Sequence, residues 1–514
     1  MQTTDRPARL PTPRPTRGRW RVRFGRPVAG AVLLSAVTAL LPGVAAAGAA
    51  ASPPGSTSAV RGEEESPQVR GVLDRVVVDA DPTAGHAATT RIPTTWLRTP
   101  TDRIPIDEDA VRDVPTGSTL AVRLTAPQVS ADATSPRAVA AVTVLARASA
   151  ATRTAPAASA HAVTVVLALP AGTVANSMTT ATLTRAVTGG VTRFWSRESD
   201  GRITFAVAKA VGWTKLTSSC SDVWSVWDEV RNRVGFTPGP RRHLLVYAPS
   251  GTGCPTGLAT VGTTADTGGN VIVGGAATAL VAHELGHNLG LGHSQALRCP
   301  GATDGVGTRD GFGSGCRVLP YGDWYDVMGI SWENLGTLST AHAYRLGLLP
   351  TSAVVTTRGP ARVTLRPVST RVGIRSLRIQ DPSGTTYVVE YRPARGADAW
   401  LGTADDWRGL QPGVLIRRTD PTDTAATLLL DPTLSTGSAA DQDVDVAVPT
   451  GRTVTTASGR ISIVVESVTP DAVTVAVSLD GVAPALVLQP HGRLVNGRQV
   501  TIGQALAAWG ALAS

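Results

Sequence analysis

One short segment, residues 283–293, restricts the folds open to this chain more than any other feature. It reads His-Glu-Leu-Gly-His-Asn-Leu-Gly-Leu-Gly-His and holds three of the eight histidines. On a helix, residues four apart lie on one face, so His283 and His287 can direct their imidazoles at one ion. A straight helix would carry His293 away, but Gly290 accepts the positive φ that ends a helix and turns the chain back. The segment therefore predicts a helix, a glycine turn and a three-histidine metal site.

The ligand number predicts what such a site does. Three protein ligands around zinc leave a fourth position open for water, which is the arrangement of a catalytic rather than a structural zinc. Glu284 follows the first histidine and lies beside the metal without ligating it, where it can act as general base toward a zinc-activated water. The alternative is a helix whose histidines are ordinary core residues. We predict one catalytic Zn²⁺ held by His283, His287 and His293, with Glu284 as the catalytic base.

The segment resembles the metzincin signature, His-Glu-x-x-His-x-x-Gly-x-x-His followed by a methionine turn. Residues 321–329, Tyr-Gly-Asp-Trp-Tyr-Asp-Val-Met-Gly, are similar to that turn, and Met328 is one of three methionines. Ser294 directly after the third histidine, and the 35 positions between His293 and Met328, make the chain most similar to the gametolysin type and its bacterial relatives. The resemblance is specific over residues 279–329 and loose over 161–350.

That resemblance implies an α/β metzincin-like catalytic domain, with a mixed sheet and a zinc-binding helix, that hydrolyses internal peptide bonds. It implies that Met328 forms an apolar floor beneath the imidazoles. Astacins and serralysins carry a zinc-associated tyrosine two residues after the methionine, but here that position is Ile330, so the resemblance supplies no phenol for the oxyanion. Metzincins bind peptides as an added strand along a sheet edge. Residues 260–274 are our candidate edge, and a plain surface loop is the alternative.

The leader has the order of a secretion signal. Eight arginines and one aspartate lie in the first 26 residues, so this segment carries +7 of the net charge of +9. An apolar run over 28–41 and then small residues follow, which predicts a cleaved signal peptide over 1–50, with an uncleaved anchor as the alternative. The remaining charge of about +2 argues against nucleic-acid binding. No later run is long enough to span a bilayer. We expect a secreted, extracellular protein without stable membrane insertion after signal removal.

Four cysteines, Cys220, Cys254, Cys299 and Cys316, lie in the middle of the chain. An even number in an exported chain predicts two disulfides, with three connectivities open, of which pairing of sequence neighbours closes the shortest loops. No cysteine precedes Cys220, so a thiolate from the N-terminal region cannot block the metal. Whether residues 52–160 inhibit by another group, assist folding or do neither stays open.

Calcium is a second ion that the sequence leaves open. Three carboxylates, Asp304, Asp310 and Asp323, fall in a glycine-rich region, but they lack the alternation of a calcium-binding loop. Solvated loop carboxylates are the alternative. His243 and His342 lack partner spacing, and we expect neither to ligate a metal.

Runs of β-branched residues and turn residues predict the domain organisation. Beyond the signal peptide we expect a pro-region or small β-rich unit with a linker (51–158), the catalytic domain (159–350), a β-sandwich-like domain (351–480) and a tail (481–514). The predicted function is a secreted zinc metalloendopeptidase acting on extracellular proteins or peptides. The alternative is an adhesion or polymer-binding protein acting through its C-terminal β domain, with an accessory peptidase. The sequence predicts no oligomeric state.

Overall fold

The computed structural model describes residues 68–79, 92–125, 135–148, 156, 158–250, 253–313, 315–329, 331, 334–434 and 443–484. The predicted signal peptide, most of the predicted tail and Ile330 lie outside the described residues. All the described residues belong to one compact unit, residues 65–514. Within these ranges no helix is both long enough and apolar enough to cross a membrane.

The N-terminal part is a small β-sheet. It contains β1 (Gln68–Asp79), β2 (Thr95–Arg98), β3 (Arg103–Pro105), β4 (Thr119–Leu124) and β5 (Val139–Ala146). The first part of β1 lies between β2 and β4, and antiparallel pairs continue outward to β3 and β5. Its apolar side chains form a separate core that includes Leu73, Leu97, Leu120 and Val122. The last four residues of β1 leave this sheet and pair with the next one.

The central part is a mixed sheet with helices on both faces. Its elements, in chain order, are β6 (Ser159–Leu169), α1 (Thr180–Arg185), α2 (Thr192–Glu198), β7 (Ile203–Lys215), α3 (Val223–Val234), β8 (Arg242–Tyr247), β9 (Gly257–Thr260), β10 (Gly269–Val273) and α4 (Thr278–Asn288). A π-helical turn, Ala186–Val191, joins α1 to α2. The strand order is β1-β9-β10-β8-β6-β7. The four strands β10, β8, β6 and β7 run parallel to one another. Strand β9 runs antiparallel to both of its neighbours, β10 and β1.

Alternating side chains of the sheet feed two cores, as a strand's period of two requires. On one face Val163, Val165 and Leu167 of β6 share a core with the helices α1, α2 and α4. On the other face Val166 and Ala168 pack with α3. This places α4, the predicted metal-binding helix, against the sheet beside β9 and β10.

Helix α4 spans Thr278–Asn288 and carries His283 and His287. Its end is set by Gly290, which has a φ of 97°. The amide of Leu291 bonds to the carbonyl of Gly286 at 3.1 Å, so the chain turns back over the last helical turn.

The C-terminal part consists of strands packed as two layers. Its elements are β11 (Ser294–Arg298), β12 (Gly307–Thr308), β13 (Gly311–Phe312), β14 (Arg317–Leu319), α5 (Thr340–Arg345), β15 (Val354–Thr357), β16 (Ala361–Leu365), β17 (Ser376–Gln380), β18 (Thr386–Arg392), β19 (Gly413–Thr419), β20 (Thr427–Leu429), β21 (Thr453–Thr455), β22 (Ile461–Thr469) and β23 (Ala472–Leu479). Short 3₁₀ turns lie at Thr351–Ala353 and Gly396–Asp398, and another lies in the N-terminal part at Asp109–Val111.

A seven-stranded sheet, β14-β11-β20-β19-β18-β17-β15, and a four-stranded sheet, β16-β23-β22-β21, enclose one shared core. The described chain is thus mostly β, with several sheets and few helices. The larger sheet crosses position 350, where the sequence predicts a domain boundary, because β11 and β14 come from before it. Disulfide Cys299–Cys316 joins the loop ends of β11 and β14, and Cys220–Cys254 closes the second bridge. This is the pairing of sequence neighbours.

Candidate metal centre

Three imidazoles converge at the end of α4. His283 and His287 lie one turn apart on the helix, with ring centroids 4.8 Å apart. The turn at Gly290 returns the chain so that the ring of His293 lies 5.3 Å from His283 and 4.9 Å from His287. The structure therefore brings together all three histidines that the sequence predicts as ligands.

Hydrogen bonds fix which nitrogen of each helical histidine faces the centre. Nδ1 of His283 donates to the carbonyl of Val327 at 2.8 Å, and Nδ1 of His287 donates to the carbonyl of Leu291 at 2.8 Å. With their protons on Nδ1, both rings present an Nε2 lone pair inward, and these two nitrogens lie 3.0 Å apart. Two lone pairs at this distance repel unless a cation lies between them. Tetrahedral ligands at about 2.0–2.1 Å from zinc lie roughly 3.3 Å apart, so the donor set fits the ion.

Asp79 supplies a fourth ligand atom that the sequence did not predict. Its Oδ1 lies 2.9 Å from Nε2 of His293, and its Oδ2 lies 3.0 Å from Nε2 of His283. The ligand atoms of the four residues all lie within 4.8 Å of one another. Burial favours the neutral acid, but His283 and His293 lower the pKa of Asp79 well below its usual range, so the carboxylate is ionised. Among the described residues this is the one grouping of such side chains that could hold an ion.

Sequence reasoning missed Asp79 because nothing in its spacing connects it with the helix. It directly follows Val76-Val77-Val78, a run that predicts a strand, and it lies more than 200 positions before the histidines. The pairing of β1 with β9 brings it into the centre. A carboxylate ending a buried strand was the one available signal.

Glu284 lies beside the four ligands as a buried carboxylate. It is fully buried, and neither of its oxygens has a hydrogen-bond partner within the described parts of the chain. Burial, with the neighbouring Asp79 adding to it, raises the pKa of Glu284 well above its usual value. A buried carboxylate without a donor is expensive to maintain in a fold. Its position next to the metal ligands is that of a group that handles protons.

Gly257 makes room for this carboxylate. A Cβ at position 257 would lie 1.9 Å from Oε1 of Glu284 and 3.1 Å from Cβ of Asp79. The first residue of β9 must therefore be glycine for Glu284 to keep its place. Gly257 is not among the residues that the sequence predicts at the site.

A phenol also reaches the centre, from a position that the resemblance did not indicate. The hydroxyl of Tyr321 donates to Oδ1 of Asp79 at 2.8 Å, and its ring centroid lies 4.4 Å from that of His293. Tyr321 has a φ of 56°, a left-handed conformation that turns the chain just before the Met328 turn. This tyrosine precedes the methionine by seven positions, whereas the zinc-associated tyrosine of astacins and serralysins follows it by two.

The Met328 turn lies directly beneath α4. Met328 is fully buried, and a Cβ on Gly286 would lie 2.5 Å from its Sδ, so helix and methionine approach closely. Asp326 holds the turn by accepting from the amides of Met328 and Ser339, both at 2.8 Å. The carbonyl of Val327 in the same turn accepts the hydrogen bond from Nδ1 of His283. Met328 therefore packs under the histidine helix.

The three carboxylates considered for calcium have other partners. Asp304 is buried and pairs with Arg418 at 2.5 Å, and Asp323 is buried and pairs with Arg417 at 2.5 Å. Asp310 is exposed and lies 3.6 Å from Arg112. Each of the three carboxylates therefore lies beside an arginine, and among the described residues none of them belongs to a group that could hold an ion. His243 and His342 lie outside the ligand set, bonded to Asn288 and Asp326.

The candidate substrate edge needs correction. Strand β10, which supplies five of the fifteen residues 260–274, is an interior strand between β9 and β8. Strand β9, whose first residue Gly257 lies against Glu284, pairs with β10 on one side. On its other side it pairs with β1. In residues 260–274 glycine and threonine alternate with apolar residues, a pattern that indicates extended structure but does not distinguish an interior strand from an edge.

The comparisons with known proteins leave the site's own geometry as the guide to function. No family model and no curated protein matches this sequence. One similar solved structure is described as a chaperone–substrate complex, with 15% sequence identity. The match covers 45% of this chain and 37% of that chain, and its TM-score is 0.21. At that score the likeness carries no argument about this fold.

Proposed function

We propose that this chain is a secreted zinc-dependent endopeptidase of the metzincin type, similar to gametolysin and its bacterial relatives. One observation carries the proposal: three imidazoles, two of them with Nδ1 bonded to backbone carbonyls, converge beside a buried carboxylate that has no hydrogen-bond partner among the described residues. The glycine turn at Gly290 and Met328 beneath the helix add to the similarity with the metzincin signature. The two disulfides accord with an extracellular location.

His283, His287 and His293 would hold the ion. When bound, zinc supplies a Lewis acid that polarises a carbonyl and lowers the pKa of water toward about 7. Burial, reinforced by His283 and His293, lowers the pKa of His287 well below its ordinary value, which keeps this ring in the neutral form that binds metals.

Glu284 moves the proton in this proposal. Its carboxylate accepts a proton from the water that attacks the scissile carbonyl, and it then passes that proton to the leaving amine. Burial and the neighbouring Asp79 raise the pKa of Glu284, so this carboxyl group takes up a proton more readily than an exposed glutamate does. Tyr321 can donate its hydroxyl proton as a hydrogen bond to the carbonyl oxygen as negative charge develops there.

The alternative, an adhesion protein acting through residues 351–480, stays a prediction without a specific observation in its favour. Strands β11 and β14 lie in the same sheet as β15 and β17–β20. A segment cut out at 351 would therefore lack two strands of its own sheet, which makes it a poor candidate for an independent binding module.

The experiment that tests the proposal uses the full chain, before and after limited proteolysis, incubated with a peptide library with and without a zinc chelator. We expect chelator-sensitive cleavage of internal bonds that is absent from a Glu284→Gln variant of unchanged zinc content. A His287→Ala variant should lose zinc, whereas His161→Ala, the removal of a buried histidine outside the centre, should not. Cleavage that survives both chelator and Glu284→Gln would overturn the proposal.

A further inference from the structure

We propose that the end of β1 keeps this site latent: residues 76–79 occupy the strand position that an extended peptide substrate would take, and Asp79 fills the fourth ligand position. The inference rests on the proposed peptidase function and concerns its regulation.

The backbone of β1 covers β9. Val76, Val77, Val78 and Asp79 pair antiparallel with Thr260, Ala259, Leu258 and Gly257, respectively. Without β1, β9 would be the last strand of the central sheet, since its other neighbour is β10. A peptide that binds by adding a strand needs the free amides and carbonyls of such an edge. In this chain β1 already uses them, and no substrate can pair there until it leaves.

The side chain that ends β1 closes the metal centre. Asp79 contacts His283 and His293 at 3.0 and 2.9 Å and accepts a hydrogen bond from Tyr321. A four-ligand zinc site is closed, whereas a catalytic one keeps a position open. Asp79 also contacts the two groups assigned to chemistry: it accepts the hydrogen bond of Tyr321 and lies beside Glu284. A buried Glu284 that receives no hydrogen bond from any described residue has no use in a purely structural zinc site, which favours a catalytic site that is temporarily blocked.

Strand β1, which covers the site, is also anchored in the separate core of the N-terminal sheet. The first part of β1 belongs to the N-terminal sheet, where Leu73 is fully buried and Arg75 donates to the carbonyls of Val111 and Val114. The same strand therefore has one end in the N-terminal sheet and the other in the metal centre. Removal of the N-terminal sheet by proteolysis would withdraw both the strand and the carboxylate.

The test measures access to the ion separately from catalysis. Zinc-loaded full-length protein is titrated calorimetrically with acetohydroxamate, a small chelating ligand that needs an open position on the metal. We expect Asp79→Ala to bind acetohydroxamate at least tenfold more tightly than the unaltered chain does. The isosteric Asp79→Asn should also bind it more tightly, by a smaller factor. Asp74→Ala is the matched control, since Asp74 lies on the same strand but pairs with Arg98 at the surface.

Peptide cleavage by the same proteins distinguishes the two proposals. Tighter hydroxamate binding by both Asp79 variants, with cleavage that no longer needs prior proteolysis, supports latency and peptidase function together. Tighter hydroxamate binding without any peptide cleavage would support the proposal that Asp79 blocks the metal but would overturn the proposed peptidase function. Unchanged hydroxamate affinity in both variants, each folded and carrying one zinc, overturns latency even if proteolysed protein cleaves peptides.

Discussion

The amide of Thr427 donates a 2.9 Å hydrogen bond to the carbonyl of His293. One residue later Ser294 begins β11, which pairs in parallel with β20 of the C-terminal sheet. On the other side, the amide of Gly292 bonds to the carbonyl of Ala425 at 3.0 Å. The third histidine of the metal centre is therefore positioned by the C-terminal half of the chain. Helix α4 alone supplies only two of the three imidazoles.

The same sheet holds the Met328 turn through a buried charge network. Arg417 on β19 pairs with Asp323 at 2.5 Å and with Glu390 on β18 at 2.7 Å, and all three side chains are almost completely buried. Asp323 also accepts from the hydroxyl of Ser294 at 2.7 Å. The network therefore connects the C-terminal sheet, the turn and the strand that follows His293.

Loss of Arg417 should destabilise the whole described unit. An Arg417→Met substitution leaves Asp323 and Glu390 buried without their cation, and breaking such a pair lowers the free energy of unfolding by about 3–5 kcal/mol. Urea denaturation measures this change. The control Arg362→Met removes a more exposed pair with Glu466 and should lower it by less than about 1 kcal/mol. Equal losses in the two variants would contradict the role assigned to the network.

A Gly257→Ala substitution should impair catalysis while sparing the metal. The added Cβ would lie 1.9 Å from Oε1 of Glu284, so the carboxylate must move away. Because a displaced general base loses much of a contribution of about 10²–10⁴-fold, we expect kcat/KM to fall at least tenfold, with zinc content unchanged. Gly212→Ala on β7, where the Cβ meets nothing within 4 Å, is the matched control. Full activity of the Gly257 variant would show that Glu284 is not confined there.

A Tyr321→Phe substitution tests the phenol. Loss of one donor to a developing oxyanion lowers kcat on the order of 10²-fold, and since the interaction strengthens only as charge develops, KM should change little. Steady-state kinetics on proteolysed protein separate the two constants. Tyr325→Phe, which removes a buried hydroxyl bonded to the carbonyl of Gln411, is the comparison. A rise in KM with unchanged kcat would instead assign Tyr321 to substrate binding.

We expect the buried pair His161 and His243, which lies outside the metal centre, to make the stability of the fold sensitive to acid. Burial, assisted by His243, lowers the pKa of His161 to about 3. Because the folded pKa lies below the unfolded value, stability is complete above about pH 6.5 and falls as the pH drops toward 3. At pH 5 one such histidine costs about 2 kcal/mol. Urea midpoints from pH 7.5 to pH 5 should therefore fall less steeply for His161→Phe than for the unaltered chain, and parallel curves would contradict this.

The sequence predicted the parts of the site that are local. His283, His287, Gly290 and His293 lie within one helix and one turn, so helical periodicity and glycine chemistry are enough to bring them together. The sequence-neighbour disulfides follow from short loops in the same way. The mostly β character and the two-layered C-terminal region were also accessible, because alternating apolar runs persist there.

The parts that the sequence did not reveal depend on pairing between distant strands. Asp79 reaches the centre only because β1 pairs with β9, and Gly257 matters only because Glu284 lies against it. The domain boundary expected at 350 does not mark a break in the larger sheet, since β11 pairs with β20 across it. Hydropathy patterns define strands, but they do not specify which distant strands become neighbours.

Anomalous X-ray diffraction at the zinc edge, from crystals of the zinc-loaded protein, tests the central claim most directly. We predict a single strong peak about 2.0–2.1 Å from Nε2 of His283, His287 and His293. An absent peak, or one that leaves His293 outside the coordination sphere, would contradict the three-histidine site and the function built on it.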